Sequence, residues 1–164
     1  MKTIVTTLFL SFLSCCAFGQ DKAAISAAEA ACGPREVQFD ITADKSQHPT
    51  PTPENGKALI YVVQENLGST RVGADGKWLG GLQREGYFSV SIDPGEHHLC
   101  AIAHIGLLNH VSLHQLNVKA GETYYFLVHP VESVTSNNFA ISQVDPDEGR
   151  YAVAKAKLNA SHPK

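Results

Sequence analysis

Alternating apolar and polar positions predict β-strands along most of this chain. Over residues 35–42, every second residue from Val37 to Ile41 is apolar, which is typical of a strand with one buried face. The run at residues 58–63 is apolar throughout and predicts a central strand that is covered on both faces. The proline-rich stretch between these strands, residues 43–56, predicts an extended surface connection.

A β-hairpin is predicted at Asp75-Gly76, because this dipeptide favours the two-residue turn between antiparallel strands. The flanking segments 70–74 and 77–82 are strand-like, and the glycine pair at 80–81 indicates a bulge or a close backbone contact. Further strand-like segments lie at residues 87–92, 97–105, 111–118, 123–128 and 139–144. About eight short strands joined by Gly, Pro and Asp turns predict an all-β protein with an antiparallel β-sandwich.

The C-terminal region departs from this strand pattern and predicts a short helix. Asp145 can cap the helix, Pro146 fits its first position, and Glu148 completes a capping box. We expect the helix to span residues 146–158 and to leave residues 159–164 as a tail. The side chains expected to face the body of the protein are Tyr151, Ala154 and Leu158.

The N-terminus has the three parts of a cleavable signal peptide. Lys2 gives a positive start, residues 4–13 are largely apolar, and Ala17 and Gly19 are small residues before the cut. We therefore expect cleavage after Gly19 and export to the periplasm or the exterior of a bacterial cell. An alternative uses Cys15 as the site of a lipid anchor.

The two cysteines of the exported chain, Cys32 and Cys100, are predicted to form a disulfide. Export places them in an oxidising compartment, and two cysteines allow a single internal pairing. A disulfide that closes a loop of this length would stabilise the fold by about 4 kcal/mol. The alternative is a pair of buried thiols.

The sequence divides the chain into four parts. Residues 1–19 are the signal peptide, and residues 20–34 are an Ala-rich leader that is either a short helix or frayed. Residues 35–158 form one β-sandwich domain with its helix, and residues 159–164 form a tail.

Composition and charge narrow the choice of partners. The chain has 164 residues, of which 43% are hydrophobic and 18% charged, which is typical of a globular domain. Loss of Lys2 with the signal peptide changes the net charge from −3 to −4. A mildly negative chain with no basic run argues against binding to nucleic acid or to an anionic membrane. The apolar runs are also too short to predict a transmembrane segment.

Histidines are the most prominent cluster of possible metal ligands. His98 and His104 share one face of a predicted strand with Cys100. They lie roughly 20 Å apart along the strand, so a zinc or copper site would need ligands from a neighbouring strand, such as His110 or His114. The other interpretation is that these histidines are hydrogen-bonded or exposed.

Two aromatic residues are candidates for ligand contact. Trp78 follows the predicted hairpin turn, and Tyr87 lies on the strand face opposite Phe88, where an exposed ring could stack on a sugar or a peptide. The other interpretation of Trp78 is that it covers one end of the core. No catalytic or cofactor motif is recognisable, so we predict neither an enzyme nor a bound cofactor.

The order of several short motifs resembles the DUF 2846 family of exported bacterial proteins, a family of unknown function. The likeness covers about residues 53–145, and the Asp-Gly-Lys hairpin and Pro-Gly-x-His turn also resemble PEGA-type surface modules. The motifs are Pro53-Glu54-Asn55-Gly56-Lys57-Ala58-Leu59-Ile60-Tyr61-Val62, Asp75-Gly76-Lys77, Gly81-Leu82, Tyr87-Phe88, Pro94-Gly95-Glu96-His97-His98-Leu99 and Ala120-Gly121-Glu122-Thr123-Tyr124-Tyr125-Phe126.

The resemblance implies an immunoglobulin-like or transthyretin-like sandwich in the cell envelope and brings no catalytic residues with it. Together with the sequence patterns, it favours a non-catalytic envelope or secreted module that binds a protein or glycan partner. The alternative function is a periplasmic metal-binding protein that uses the histidines of residues 97–114.

Overall fold

The computed structural model describes residues 22, 26, 27, 29, 30, 32–65, 68–105, 108–131 and 138–164. The predicted signal peptide and the alternative anchor at Cys15 lie outside the described residues. Within the leader, residues 22, 26, 27, 29, 30 and 32 are helical. The strands are β1 (Phe39–Asp44), β2 (Ala58–Gln64), β3 (Thr70–Ala74), β4 (Lys77–Leu82), β5 (Gly86–Ile92), β6 (Gly95–Ile105), β7 (Leu108–Val118), β8 (Thr123–Val131), β9 (Asn138–Val144) and β10 (Lys157–Pro163), and helix α1 spans Pro146–Lys155.

The strands form two sheets, and the predicted all-β sandwich with a short C-terminal helix is confirmed. One sheet has the order β1-β10-β5-β2-β8-β9, and the other has the order β4-β3-β6-β7. The pairs β2·β8 and β5·β10 are parallel, whereas the other pairs are antiparallel. The main core between the sheets consists of Ala58, Ile60, Val62, Val72, Ala74, Leu82, Phe88, Leu99, Ala101, Ala103, Leu116, Val118, Phe126, Val128, Phe139 and Ile141.

Strand β2 is central, as its continuous apolar run predicts. All seven of its residues are buried, and it pairs with β5 on one side and β8 on the other. Its second face packs in a smaller cluster beneath α1, in which Tyr61 and Tyr125 stack with their ring centroids 5.1 Å apart. Burial on both faces therefore comes from the opposite sheet on one side and from α1 on the other.

Helix α1 begins where the capping signal predicts, but it presents a different face to the sheet. Asp145 accepts hydrogen bonds from the main-chain N–H groups of residues 147 and 148. Tyr151 and Ala154 are exposed, contrary to expectation. The inner face instead carries Gly149, Ala152, Val153 and Ala156. These small residues allow close packing, since a Cβ at position 149 would collide with the ring of Tyr125.

The predicted tail is wrong, because residues 157–163 form strand β10 inside the six-stranded sheet. The helix ends at Lys155 rather than at residue 158, and β10 pairs with β1 along the full length of β1. Its pairing with β5 is confined to Gly86 and Tyr87. An isolated polar segment carries no strong strand signal, so its position depends on the partners that the rest of the fold supplies.

Side chains of β10 also join the two sheets at one edge. Asn159 accepts a hydrogen bond through Oδ1 from the main-chain N–H of Gln83 at 2.8 Å. Ser161 accepts one through Oγ from the N–H of Gly81 at 3.0 Å. These two residues point to the same side of β10. Gln83 lies just beyond edge strand β4, and Gly81 lies near its end, so both hydrogen bonds connect β10 to that edge.

The hairpin of β3 and β4 has the turn that its sequence predicts. Asp75 and Gly76 have φ values of 50° and 77°, as expected for a type I′ turn. A register shift occurs opposite Val72 and Gly73. A Cβ at Gly81 would come within 2.8 Å of an Ile41 side-chain atom. Both features predicted for the glycine pair, an irregularity in pairing and a close contact, are therefore present.

No helix among the residues that the structure describes has the length and apolar character needed to cross a bilayer. The candidate site is formed by residues of the sandwich and of the segment before β1. It lies where the N-terminal segment crosses the four-stranded sheet.

Candidate binding site

The predicted disulfide between Cys32 and Cys100 is present and attaches the N-terminal segment to the four-stranded sheet. The two Cα atoms are 5.2 Å apart, and both residues are fully buried. Cys100 lies on the side of β6 that points away from the main core, which we call the outer face. Gly73 pairs with Cys100 in register, and a Cβ there would collide with the carbonyl oxygen of Cys32. Because position 73 is a glycine, the main chain at Cys32 can lie directly against β3.

Trp78 covers this disulfide. Its ring packs against the cluster formed by Cys32, Cys100 and Ile102, and its Nε1–H donates to the carbonyl oxygen of Pro34 at 2.8 Å. The half-buried tryptophan and the disulfide therefore both attach the N-terminal segment to the four-stranded sheet. Trp78 therefore covers the small cluster around the disulfide rather than one end of the main core, and its role in ligand contact stays a prediction.

Arg71 completes the attachment of the N-terminal segment. Its guanidinium carbon lies 4.7 Å from the centroid of the Trp78 ring, a cation–π distance. Its Nη1 donates to the carbonyl oxygens of Arg35 at 3.1 Å and Val37 at 2.6 Å. Burial lowers the pKa of Arg71, but an arginine stays charged at neutral pH. A fixed positive charge therefore lies beneath the segment.

A cavity of about 500 Å³ opens beside Arg71, between the N-terminal segment and one end of the four-stranded sheet. Its volume lies within the range of small-ligand sites. Its walls come from the N-terminal segment, the start of β3, and the β6–β7 hairpin. The lining residues are Arg35, Gln38, Phe39, Ile41, Ser69, Thr70, Arg71, Ile102, His104 and Asn109.

The cavity wall is basic, since it contains two arginines and no aspartate or glutamate. Arg35 forms an ion pair with Glu29, whose side chain is 9% exposed. Arg71 has no ion-pair partner among the residues that the structure describes. The wall therefore offers one guanidinium whose charge is not neutralised by a nearby carboxylate.

His104 contacts Asn109 at the cavity wall. Its Nδ1 lies 3.1 Å from Oδ1 of Asn109, and an amide oxygen can only accept, so Nδ1 carries the hydrogen. In the neutral ring, Nε2 is then an acceptor. This nitrogen can receive a hydrogen bond from a ligand hydroxyl.

The register of β6 and β7 separates the four histidines proposed as metal ligands. His98 and His104 lie on the outer face with Cys100. His114 pairs with Leu99, and His110 pairs with Ala103. Leu99 and Ala103 belong to the main core. Directly paired residues share a face, so His110 and His114 point inward, and neither can supply the neighbouring-strand ligand that a metal site with His98 or His104 would need.

One of the inward histidines, His114, packs against an aromatic residue of the other sheet. The ring of His114 meets the ring of Phe126 edge-on, with centroids 5.3 Å apart. No group of three or more His, Cys, Asp or Glu side chains suited to a metal ion occurs within the described part of the chain.

Tyr87 is completely buried, so the expectation of an exposed aromatic at this position is wrong. Tyr87 lies beneath the connection that follows β1. Its ring centroid is 6.1 Å from that of His48, which stacks on it, and 6.3 Å from that of Tyr61. The alternation in β5 assigned one face of the strand to solvent. The pattern failed because α1 and residues of β10 cover that face.

A second charged arrangement links two turns at the opposite end of the four-stranded sheet. Nδ1 of His97 lies 2.6 Å from the Asp75 carboxylate, and Nε2 lies 2.7 Å from the Asp93 carbonyl oxygen. Both partners are acceptors, so both ring nitrogens donate and the imidazole is protonated. Burial lowers the pKa of His97, but these hydrogen bonds outweigh it and the net shift is upward.

Apart from His104, which the sequence offered as a possible metal ligand, sequence reasoning missed the cavity residues. The available signal was weak: Arg71 is a single charged residue in the otherwise small and apolar strand β3, and Arg35 directly follows Gly33-Pro34. Gln38, Ser69 and Asn109 are ordinary surface residues in the sequence. Only the crossing of the N-terminal segment over the sheet brings them together.

The chain matches no protein-family model, no curated protein and no solved structure. The resemblance to the DUF 2846 family therefore stays a prediction that depends on the quoted motifs.

Proposed function

We propose that this protein is an exported, non-catalytic β-sandwich module that binds a glycan or protein partner of the bacterial envelope in the basic cavity. The single observation that carries the proposal is the cavity of about 500 Å³ with two arginines and no acidic residue in its wall. A concave site with a few polar groups on an otherwise packed scaffold is typical of ligand binding.

Export is supported by the N-terminal pattern and by the disulfide. Lys2, the apolar stretch and the small residues before Gln20 follow the order of a signal peptide. Disulfides persist mainly in oxidising compartments, and the bond between Cys32 and Cys100 attaches to the sheet the N-terminal segment that supplies Arg35 and Gln38 to the cavity wall. The resemblance to exported bacterial proteins favours the same location.

The binding proposal is tested by filling the cavity. Ser69→Trp places a large side chain at the cavity wall, where Ser69 is exposed. Asn55→Trp is the matched control, because Asn55 is also exposed but does not line the cavity. Wild type and both variants are applied to a glycan array and crosslinked to proteins of a native envelope fraction.

We expect at least one glycan or protein to bind wild type and Asn55→Trp equally, and to lose most of its binding to Ser69→Trp. Equal binding by Ser69→Trp, or no saturable binding by wild type, contradicts the proposed function. Circular dichroism and thermal unfolding of each variant establish that the fold is retained.

The export proposal has its own measurement. The protein is purified from fractionated cells of a bacterial host, and its intact mass is determined. A mature chain that begins at Gln20 supports the proposal, a lipid-modified chain that begins at Cys15 supports the alternative anchor, and an uncleaved cytosolic chain contradicts export.

A further inference from the structure

We infer that the cavity binds an acidic saccharide, with Arg71 holding the sugar carboxylate; this inference rests on the binding function proposed above. It assigns a ligand chemistry to the site and a role to one residue.

The charge of the cavity wall selects an anion. The whole chain has a net charge of −3, so the basic wall is a local feature that differs from the rest of the surface. Arg35 already has Glu29 as its partner, whereas Arg71 has no ion pair among the described residues. A ligand carboxylate would supply the missing counter-charge.

Arg71 is oriented before any ligand arrives. Its Nη1 donates to two main-chain carbonyl oxygens, and its guanidinium carbon lies over the ring of Trp78. The remaining N–H groups, on Nε and Nη2, have no hydrogen-bond partner in the part of the chain that the structure describes. A guanidinium fork pairs well with a carboxylate, and fixing it in advance reduces the entropy lost on binding.

The rest of the wall suits a sugar ring. Nε2 of His104 can accept from a hydroxyl, and the amides of Gln38 and Asn109 can both donate and accept. Phe39 and Ile102 add apolar surface within the same lining, against which the C–H face of a pyranose can pack. The wall therefore offers polar groups for the hydroxyls at the edge of a sugar ring and apolar groups for its C–H face.

A peptide carboxylate fits this position less well. Extended peptides commonly bind by pairing with the free edge of a sheet. Arg71 is on β3 and His104 is on β6, and both strands are paired on both sides, so only side chains can recognise a ligand at these two positions. The edge strands β1 and β7 contribute Phe39, Ile41 and Asn109 to the lining, but the residue proposed to hold the carboxylate is not on an edge.

The inference is tested with two acidic oligosaccharides, digalacturonate and 3′-sialyllactose, and with the methyl ester of each. Esterification removes the charge and leaves the sugar ring in place. Binding is measured by calorimetry and by fluorescence of Trp78, the single tryptophan of the chain, which contacts Arg71. The variants are Arg71→Gln, Ser69→Glu and, as a control, Arg84→Gln, which changes an exposed arginine outside the cavity.

We expect one or both acids to bind at least about tenfold more tightly than the matching ester, since a hydrogen bond to a charged group is stronger than a neutral one. Arg71→Gln and Ser69→Glu should each weaken binding of the acid by about tenfold or more, and Arg84→Gln should leave it unchanged. Ser69→Glu keeps Arg71 and its contacts, so its effect does not depend on whether Arg71→Gln disturbs the N-terminal segment.

Failure of both acids to bind overturns the inference, as does equal affinity for acid and ester. An unchanged acid affinity in both cavity variants also overturns it. These results are distinguishable from failure of the proposed function: a neutral glycan or a protein that is lost on Ser69→Trp substitution would keep the binding function while removing the acidic ligand.

Discussion

The side chain of Asn159 accepts a hydrogen bond through Oδ1 from the main-chain N–H of Gln83, 2.8 Å away. Asn159 belongs to β10, in the six-stranded sheet, whereas Gln83 directly follows β4 at the edge of the other sheet. With Ser161 and Gly81, this contact satisfies main-chain groups that would otherwise lie at an unpaired edge. The C-terminal strand thus closes one side of the sandwich.

Asn159→Ala should destabilise the protein by about 1–3 kcal/mol, because it leaves the N–H of Gln83 without a partner in a partly buried position. Urea unfolding followed by circular dichroism measures the change. Asn55→Ala is the control, since Asn55 is exposed in a turn and should change the free energy of unfolding by less than about 0.5 kcal/mol. Equal stability of the two variants would show that the hydrogen bond contributes nothing.

Gly86→Ala should also destabilise the protein, and Asn159→Ala should relieve part of that effect. A Cβ at position 86 would collide with the amide group of Asn159. The two substitutions should therefore be non-additive, with a coupling free energy of about 0.5–3 kcal/mol in a double-mutant cycle. Additive effects in urea unfolding would contradict the contact between these positions.

Removal of the disulfide should loosen the N-terminal segment that forms one wall of the cavity. Alanine is the suitable replacement at both positions, because Cys32 and Cys100 are fully buried and a serine hydroxyl there could lack a partner. We expect Cys32→Ala/Cys100→Ala to lose about 2–4 kcal/mol of unfolding free energy. Limited proteolysis should then cut near Arg35, and Trp78 fluorescence should rise because the neighbouring disulfide no longer quenches it.

The matched control for this experiment is the wild-type protein treated with a reductant under native conditions. Both sulfur atoms are buried, so reduction should be slow until the protein unfolds. Rapid native reduction, or a double variant that resists protease as well as wild type does, would contradict a role for the disulfide in holding the segment.

The pair formed by His97 and Asp75 should lower the free energy of unfolding both when the pH rises and His97 loses its proton, and when the pH falls and Asp75 gains one. The pKa of His97 is raised above its usual 6.5, so its contribution is complete below pH 6.5 and is lost as pH rises through the folded-state value. Burial raises the pKa of Asp75, but hydrogen bonds from His97 and the His98 N–H outweigh it and lower the pKa below 3.8. The contribution of Asp75 is therefore present above pH 3.8 and is lost as pH falls through the lowered value.

The difference in unfolding free energy between wild type and His97→Gln should accordingly be largest between pH 3.8 and 6.5. It should decrease on both sides of this window. Urea unfolding at several pH values measures it, with His162→Gln, at an exposed histidine, as the control. A difference that stays constant from acid to alkaline pH would show that the imidazole is not protonated in the fold.

The strands and turns of this protein could be predicted well because their signals are local. Alternation defined the outline of β5, the apolar run identified β2 as central, and Asp75-Gly76 specified the hairpin through its need for positive φ. The cap at Asp145 and the single possible pairing of Cys32 with Cys100 were also correct. Each of these predictions depends on a few adjacent residues or on a count, so no knowledge of distant partners was needed.

The candidate site could not be predicted in the same way. The register of β6 and β7 places His98 and His104 on the opposite face of the sheet from His110 and His114. A shift of one residue in this register would bring the four histidines to the same face. The burial of Tyr87 depends on what covers the six-stranded sheet. Arg71 becomes a candidate anion site only because Arg35 and its neighbours cross above it.

The sequence by itself determined an all-β chain with a disulfide and a capped helix, since period, turn chemistry and capping are properties of neighbouring residues. Tertiary structure decided that residues 157–163 form a strand, which face of α1 is buried and where the basic cavity lies. These features depend on pairing and coverage between segments far apart in the chain, whose free energies arise only when the two sheets meet.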